Sequence, residues 1–466
     1  MDSVTTDQTW HITSDDPAAL VVAAKVPLPA TNQGDIAARA LLQALRANGL
    51  LTNFVVVVEA DKTLKVEKAT PVPMGKYGKY LSVQEGQVLT KDALDLAIAR
   101  AQPEAAANHE KLTVHVGSDD GTHHAAVTMD GKPLTTDAGQ AAVVLTTFGP
   151  RYAATDVVTL VGSLPLENGL SGDASLTKGL SGLRSDSRGG SYLGFTSSLS
   201  KATEFGSFTG RISHSDFSVG GANLPLNQTG RVNKISLEWS RLYSRNLTQL
   251  LRLESTKQTS SLLGLFSDSL TNTAVVGGLQ YSKMLPDGGI SADISIERGL
   301  HQSRSLDSPA PLLGDASPHY TALIVNASRQ HVFGEWIFSS EGGFQLSTKG
   351  TPASSQFYIG GPKRGSAHHT GVYSGANGAY VSLQAAGPLI GSLPALSITG
   401  IKPIFGIDGG FVKTIDGPTV STAAVSAGIE IVSSKNARGA LTLAVPIKDS
   451  TGSAKPRLGL FFQKSF

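Results

Sequence analysis

From about residue 145 to the carboxyl end, apolar and polar side chains alternate one by one. In the stretch 288–299, Ile290, Ala292, Ile294 and Ile296 fall on one side, and Ser291, Asp293, Ser295 and Glu297 on the other. Ile235, Leu237 and Trp239 oppose Ser236, Glu238 and Ser240, and Leu323, Val325 and Ala327 oppose Ile324, Asn326 and Ser328. At the very end Leu458, Leu460, Phe462 and Phe466 oppose Gly459, Phe461, Gln463 and Ser465. A period of two is the signature of a strand with two unlike faces. The segments run ~10 residues, the length a tilted strand needs to cross a bilayer, against ~5–6 for an ordinary strand. At roughly 20 residues per strand and connection, the remaining length gives about 16 strands, an even number as in bacterial single-chain barrels. The expected fold is a membrane β-barrel of about 16 antiparallel strands, its apolar faces toward lipid and its polar faces toward a wet lumen. A soluble β-rich domain also alternates and is the competing reading.

The region before residue 145 holds the helical patterns. In GDIAARALLQALRANG, Ala37, Leu41 and Leu45 share a face, with Gly49 as the stop. In LTKDALDLAIARAQP, Thr90 is the N-cap, Asp92 sits in the first turn, Leu94 and Ile98 share a face, and Pro103 is the stop. Each helix is followed by two strand-like runs: NFVVVVEA and TLKVEKA, then KLTVHV and THHAAVTM. Each is preceded by another, ALVVAAKV and KYLSVQ. The order β-α-β-β therefore occurs twice, which predicts two small α+β domains in tandem. The expected boundaries are an N-terminal extension over 1–18, small domains over 19–75 and 76–144, and the barrel over 145–466.

Composition narrows the function classes. The 466 residues include no Cys, so no disulfide, thiolate chemistry or Cys-ligated metal is available. The 39 basic side chains nearly balance the 37 acidic ones, which gives no basic excess for nucleic acid. Charged residues are only 16% and Gly numbers 51, as expected for a turn-rich β-protein. No apolar run reaches the ~20 residues of a spanning helix. The polar, acidic start MDSVTTDQTWHITSDD lacks the basic and apolar regions of a signal peptide. There is no G-x-S-x-G, P-loop or H-E-x-x-H, so neither an enzyme nor a cofactor is expected. His123-His124 and His368-His369 are adjacent pairs whose side chains diverge on a strand, and no metal site is expected from them. Glu238, Glu254, Asp293 and Glu297 read as polar lumen lining.

Four short motifs remain. FYIGGPKRG at 357–365 carries Gly360-Gly361 and Arg364-Gly365; FGIDGG at 405–410 carries Asp408 and Gly410. ENGLSGDASL spans 167–176, and the chain ends in LGLFFQKSF with Phe466 last. In this order, after two β-α-β-β units, the chain resembles the TpsB outer-membrane transporters of two-partner secretion, the haemolysin-activator type within the outer-membrane assembly superfamily. The resemblance covers nearly the whole chain. Ser366 stands where the family usually has an aromatic, and Gly406 replaces another.

The resemblance implies that the two small units are periplasmic POTRA-like domains which capture an unfolded secreted partner protein. The partner then passes through the barrel in the outer membrane, and its folding outside drives export. It implies that a long loop folds into the lumen, where Arg364 pairs with Asp408 on the wall as a latch, with Gly360, Gly361, Gly365 and Gly410 giving the backbone room. It also implies that Phe466, Phe462 and Leu460 form the signal read by the barrel-assembly machinery. Read without the family pattern, Arg364 is a solvated loop residue and Asp408 a turn residue. Other readings are an assembly factor of the same superfamily, or a passive porin or adhesin barrel.

Overall fold

The structure is a computed structural model describing residues 2–5, 10–28, 34–48, 54–59, 62–68, 72–82, 89–118, 125–134, 139–183, 185–314, 316–393, 397–413, 417–433, 436–450, 452 and 454–466. Two compact units make up the chain. One is built on Met1–Thr136 and takes in the turns Leu166–Leu170 and Ala202–Gly206; the other holds Asp137–Pro165, Ser171–Lys201 and Ser207–Phe466.

The first unit contains two separate cores. Strands β1 (Asp2–Thr5), β2 (His11–Ser14), β3 (Phe54–Glu59) and β4 (Thr63–Lys68) form one sheet in the order β1-β2-β4-β3. Helices α1 (Pro17–Ala23) and α2 (Gly34–Ala47) belong with it. Ala37, Leu41 and Leu45, spaced four apart, bury completely and join Trp10, Ile12, Leu64 and Val66 in one cluster. Strands β5 (Val72–Met74), β6 (Glu110–Ser118) and β7 (Ala125–Pro133) form the second sheet, ordered β5-β7-β6, with helix α3 (Lys91–Ala107). Leu94, Ala97, Ala101 and Ala105 of α3 pack with Tyr77, Tyr80, Val127 and Met129. Glu110, at the start of β6, accepts from Lys76 Nζ at 2.8 and 3.0 Å and from the Tyr77 hydroxyl. Burial alone would raise its carboxyl, but these donors outweigh burial and hold it below the usual carboxylate range.

Four sequence expectations need correction here. ALVVAAKV is not a strand. Asp16 caps the helix, its Oδ1 accepting from Ala18 N at 2.7 Å, and Pro17 sits in the first turn, so α1 starts there and buries Ala19, Leu20 and Ala23. KYLSVQ is not a strand over its described part. Gly78–Tyr80 is a single 3₁₀ turn that sends Tyr80 into the core, where its hydroxyl donates to Glu104 at 2.6 Å. The segment 1–18 is not a plain extension: it supplies β1 and β2, paired through Asp2↔Ser14 to Thr5↔His11. Pro103 does not stop its helix, which runs on to Ala107 and buries Glu104, Ala105 and Ala107 directly after it. Gly49 and His123-His124 lie outside the described residues.

The second unit is a closed barrel. Its strands begin β8 (Gln140–Thr146), β9 (Val157–Pro165), β10 (Leu170–Gly179), β11 (Ser191–Thr203), β12 (Gly206–Ser218), β13 (Thr229–Ser244) and β14 (Leu247–Leu262). They continue β15 (Phe266–Leu285), β16 (Gly288–Asp307), β17 (Thr321–Phe333), β18 (Trp336–Ser347), β19 (Phe357–Ile359), β20 (Tyr373–Gly375) and β21 (Asn377–Ala386). The last are β22 (Gly391–Leu393), β23 (Ile398–Lys413), β24 (Thr419–Ser433), β25 (Ala437–Asp449) and β26 (Arg457–Ser465). Two of these, β19 and β20, pair only with each other, and β22 is a short addition to β23. The other 16 run antiparallel around the circuit, which closes where β26 meets β8 through Phe461↔Thr146 to Ser465↔Ala142. The barrel thus starts at Gln140, a few residues before the expected boundary.

Alternation sorts the faces. Leu251, Leu253, Ile294, Ile296, Ile407, Leu443 and Leu458 stand about half exposed on the outside. Glu238, Glu254, Asp293 and Glu297, one residue out of phase, point inward and find partners there. Arg252 bonds Glu254 at 3.0 Å and Glu238 at 3.5 Å, Lys234 bonds Glu254 at 2.9 Å, and Asn326 donates to Asp293 at 2.9 Å. An apolar outer band with a paired polar interior is the arrangement of a barrel in lipid.

The first core is the simplest to test. Leu41→Ala is expected to destabilise that sheet-and-helix core by about 2–5 kcal/mol, read as a lower urea midpoint in the emission of buried Trp10 with Trp239 and Trp336 changed to Phe.

Candidate functional site

The long segment between β18 and β21 does not stay outside the barrel. Its hairpin β19–β20 pairs Phe357↔Gly375 to Ile359↔Tyr373 and packs Phe357 and Ile359 against Val412 of β23. Gly410, on the inward face of β23, makes this approach possible: a Cβ there would lie 3.0 Å from Ile359 Cγ2 and 2.5 Å from Ala379 O. The loop is therefore seated against the inner wall.

At the tip, Gly360 and Gly361 adopt φ of +96° and +89°, and Gly365 +101°. The reversal is closed by Gly360 N donating to Arg364 O at 2.7 Å and Gly361 N to His368 O at 3.0 Å. The turn at Gly365 points consecutive main-chain N–H groups at Asp408. Its Oδ1 accepts from Gly365 N at 2.5 Å and Ser366 N at 2.7 Å, and its Oδ2 from the Ser366 hydroxyl at 2.7 Å. Asp408 is 5% exposed. A Cβ on Gly365 would sit 2.4 Å from Thr422 Cγ2, so glycine is required there by space as well as by φ.

The expected Arg364–Asp408 ion pair is thus replaced by a different contact. Among the described residues no ion pair forms between them. The guanidinium of Arg364 instead lies over Tyr380 at 4.2 Å, Tyr358 at 4.6 Å and Phe357 at 5.2 Å from the ring centroids. It also donates to Tyr358 O at 3.4 Å. The physical reason is local. The backbone turn reaches the carboxylate first and fills it with three donors, while the long side chain finds three aromatic faces. Ser366, the departure from the family pattern, supplies two of the three donors.

Other contacts hold the loop that the sequence did not single out. Lys363 bonds Glu341 of β18 at 2.5 Å, a partly exposed pair. Near the base, the Ser355 hydroxyl donates to Glu297 at 2.6 Å, Tyr320 also donates to Glu297, and Gln345 Nε2 donates to Ser355 O at 2.9 Å and Ala376 O at 3.0 Å. On the returning limb, Arg457 donates to His368 O at 2.6 Å and to Thr147 O, and Thr370 donates to Phe148 O at 2.7 Å. Glu297 is more than polar lining: its two hydroxyl donors make it an anchor. Nothing in the local pattern around Arg457 marks it, because its partners are brought close only by closure of the barrel.

Beside the tip lies a cavity of about 780 Å³, lined by Pro362, Lys363 and Ser366 of the loop and by Asp408, Lys402 and Glu430 of the barrel wall. At the seam, Leu460, Phe462 and Phe466 all face outward, and Phe466 N donates to Ala141 O at 2.8 Å.

Comparison with known proteins follows this geometry. The family model for the haemolysin secretion/activation protein ShlB/FhaC/HecB matches residues 195–431, just over half of the chain. CdiB from Escherichia coli superposes with a TM-score of 0.70 at 16% identity, covering 100% of this chain and 90% of that one. CdiB from Acinetobacter baumannii gives 0.67 at 11% identity, over 93% and 81%. BamA from Haemophilus ducreyi lacking POTRA domains 1–3 gives 0.57 at 13% identity, over 98% and 99%. At these identities the likeness is one of fold. No curated protein matches the chain in sequence beyond chance.

The glycine requirement at the tip has a direct test. Gly365→Ala is expected to push the tip off the wall and expose Lys363 and Arg364 to trypsin, with cleavage at least tenfold faster than in the parent chain. Adding Thr422→Ser, which removes the clashing methyl, is expected to restore part of the protection.

Proposed function

Because the chain belongs to the ShlB/FhaC/HecB family of haemolysin secretion/activation proteins, we propose that it is an outer-membrane pore exporting a large partner protein of haemolysin or adhesin type. The observation that carries this reading is the inward loop, held at Glu297, Glu341 and Asp408 inside a closed 16-strand barrel. Barrels of this size leave an aqueous channel when nothing fills them. Here a folded segment occupies the lumen through contacts that can break singly, as a gate requires. Arg364, packed on three rings, keeps the tip's shape, and Asp408 holds its place.

The two small α+β domains are read as periplasmic POTRA-like units that take up the unfolded partner. Strand β6 lies at one edge of its sheet and β3 at one edge of the other. An edge strand pairs with an extended chain through main-chain hydrogen bonds, which recognise a polypeptide without demanding one sequence. The outward apolar residues Leu460, Phe462 and Phe466 are read as the surface offered to the barrel-assembly machinery.

Export of the cognate partner from cells tests the proposal. Arg364→Ala and Asp408→Ala are each expected to cut secretion several-fold while the amount of assembled barrel stays unchanged. Normal secretion by both variants would remove the gate from the proposal, and a soluble, detergent-free protein would remove the pore.

A further inference from the structure

The contact at Asp408 has a chemical character that an ion pair would not have. Its donors are two main-chain N–H groups and one hydroxyl. A carboxylate has about four lone-pair sites, so three donors nearly fill it. Among the described residues it forms no ion pair. The same carboxylate and Ser366 line the cavity of about 780 Å³ beside the tip. On the same wall of that cavity Lys402 of β23 and Glu430 of β24 are cross-strand neighbours. Their side chains make no hydrogen bond or ion pair among the described residues.

Resting on the export reading above, we propose that this cavity receives an extended segment of the translocating polypeptide, whose own main-chain N–H groups take Asp408 from Gly365 and Ser366 and so release the loop. An extended chain turns alternate N–H groups to one side, one every ~6.6 Å, and these are the donor type the loop itself uses. Exchange of like for like leaves the buried carboxylate hydrogen-bonded throughout, which avoids the penalty of an orphaned charge. It also makes opening independent of the client's side chains. A latch made by Arg364 would demand a cation from the client; this one demands only a peptide bond.

The test uses the full-length chain in a planar bilayer. A disordered Gly/Ser polypeptide, with an N–H at every residue, is added to the face where the barrel strands β8 begins and β26 ends. A poly(N-methylglycine) of equal length, flexible but without N–H groups, is the control. The Gly/Ser chain is expected to raise the open probability at least tenfold and the N-methylated chain to leave it unchanged. Ser366→Ala, which removes one donor of the three and keeps the backbone, is expected to respond at about tenfold lower polypeptide concentration. Asp408→Leu, which removes both acceptor oxygens, is expected to open without either polymer. Equal opening by both polymers, or a Ser366→Ala response identical to the parent's, overturns the proposal. The two readings fail separately. Cells that export the partner through a pore indifferent to N–H groups remove this inference alone. A pore gated by N–H groups in cells that export nothing removes the export reading alone.

Discussion

In a hydrocarbon layer every main-chain N–H and C=O must find its partner within the protein. That constraint organises this molecule. Sixteen strands satisfy it by closing on themselves, the last pairing with the first through Phe461↔Thr146 and its neighbours. Closure leaves no free edge to lipid. It also creates an interior in which inward side chains from distant parts of the chain face one another.

Away from the loop's apolar contacts, the interior is kept by pairing. Arg252, Lys234, Glu238 and Glu254 neutralise each other along one wall. The loop is attached at other points of the lumen, and the contact at its tip shows which force wins there. An ion pair at 4 Å gains only about 1 kcal/mol in bulk water and about 4 kcal/mol near a protein surface. Hydrogen bonds to a charged group contribute about 1.5–3 kcal/mol each. Three of them at Asp408 outweigh a single wet ion pair, and two cost no side-chain ordering because their donors are main chain. Arg364 is then free to stack on Tyr380, Tyr358 and Phe357, which stiffens the tip from the other side.

The attachment is distributed. Glu297 holds the base of the loop, Glu341 and Asp408 the tip, and Arg457 the returning limb. No single contact is large compared with the conformational cost of ordering the segment. A gate built this way opens by successive exchange of modest contacts, each within reach of an unfolded chain in the same lumen.

Much of this was legible in the linear pattern, because alternation is local. A period of two tells which face each residue of a strand presents, and Ile294, Asp293, Leu253 and Glu254 took the faces their phase requires. The four-residue spacing of Ala37, Leu41 and Leu45 likewise marked a buried helical stripe. The start of α1 was also written locally, in Asp16-Pro17, but the apolar run after it carried the stronger strand signal. What the sequence by itself determined is the sidedness of the clearly alternating barrel strands and the positions of Gly365, Arg364 and Asp408. What only the tertiary structure decided is which donor reaches Asp408, since Gly365 and Asp408 are 43 positions apart and Arg457 and Thr147 are 310 apart. Those distances vanish only when the barrel closes, and the backbone angle at one glycine then settles whether a side chain or a peptide N–H arrives.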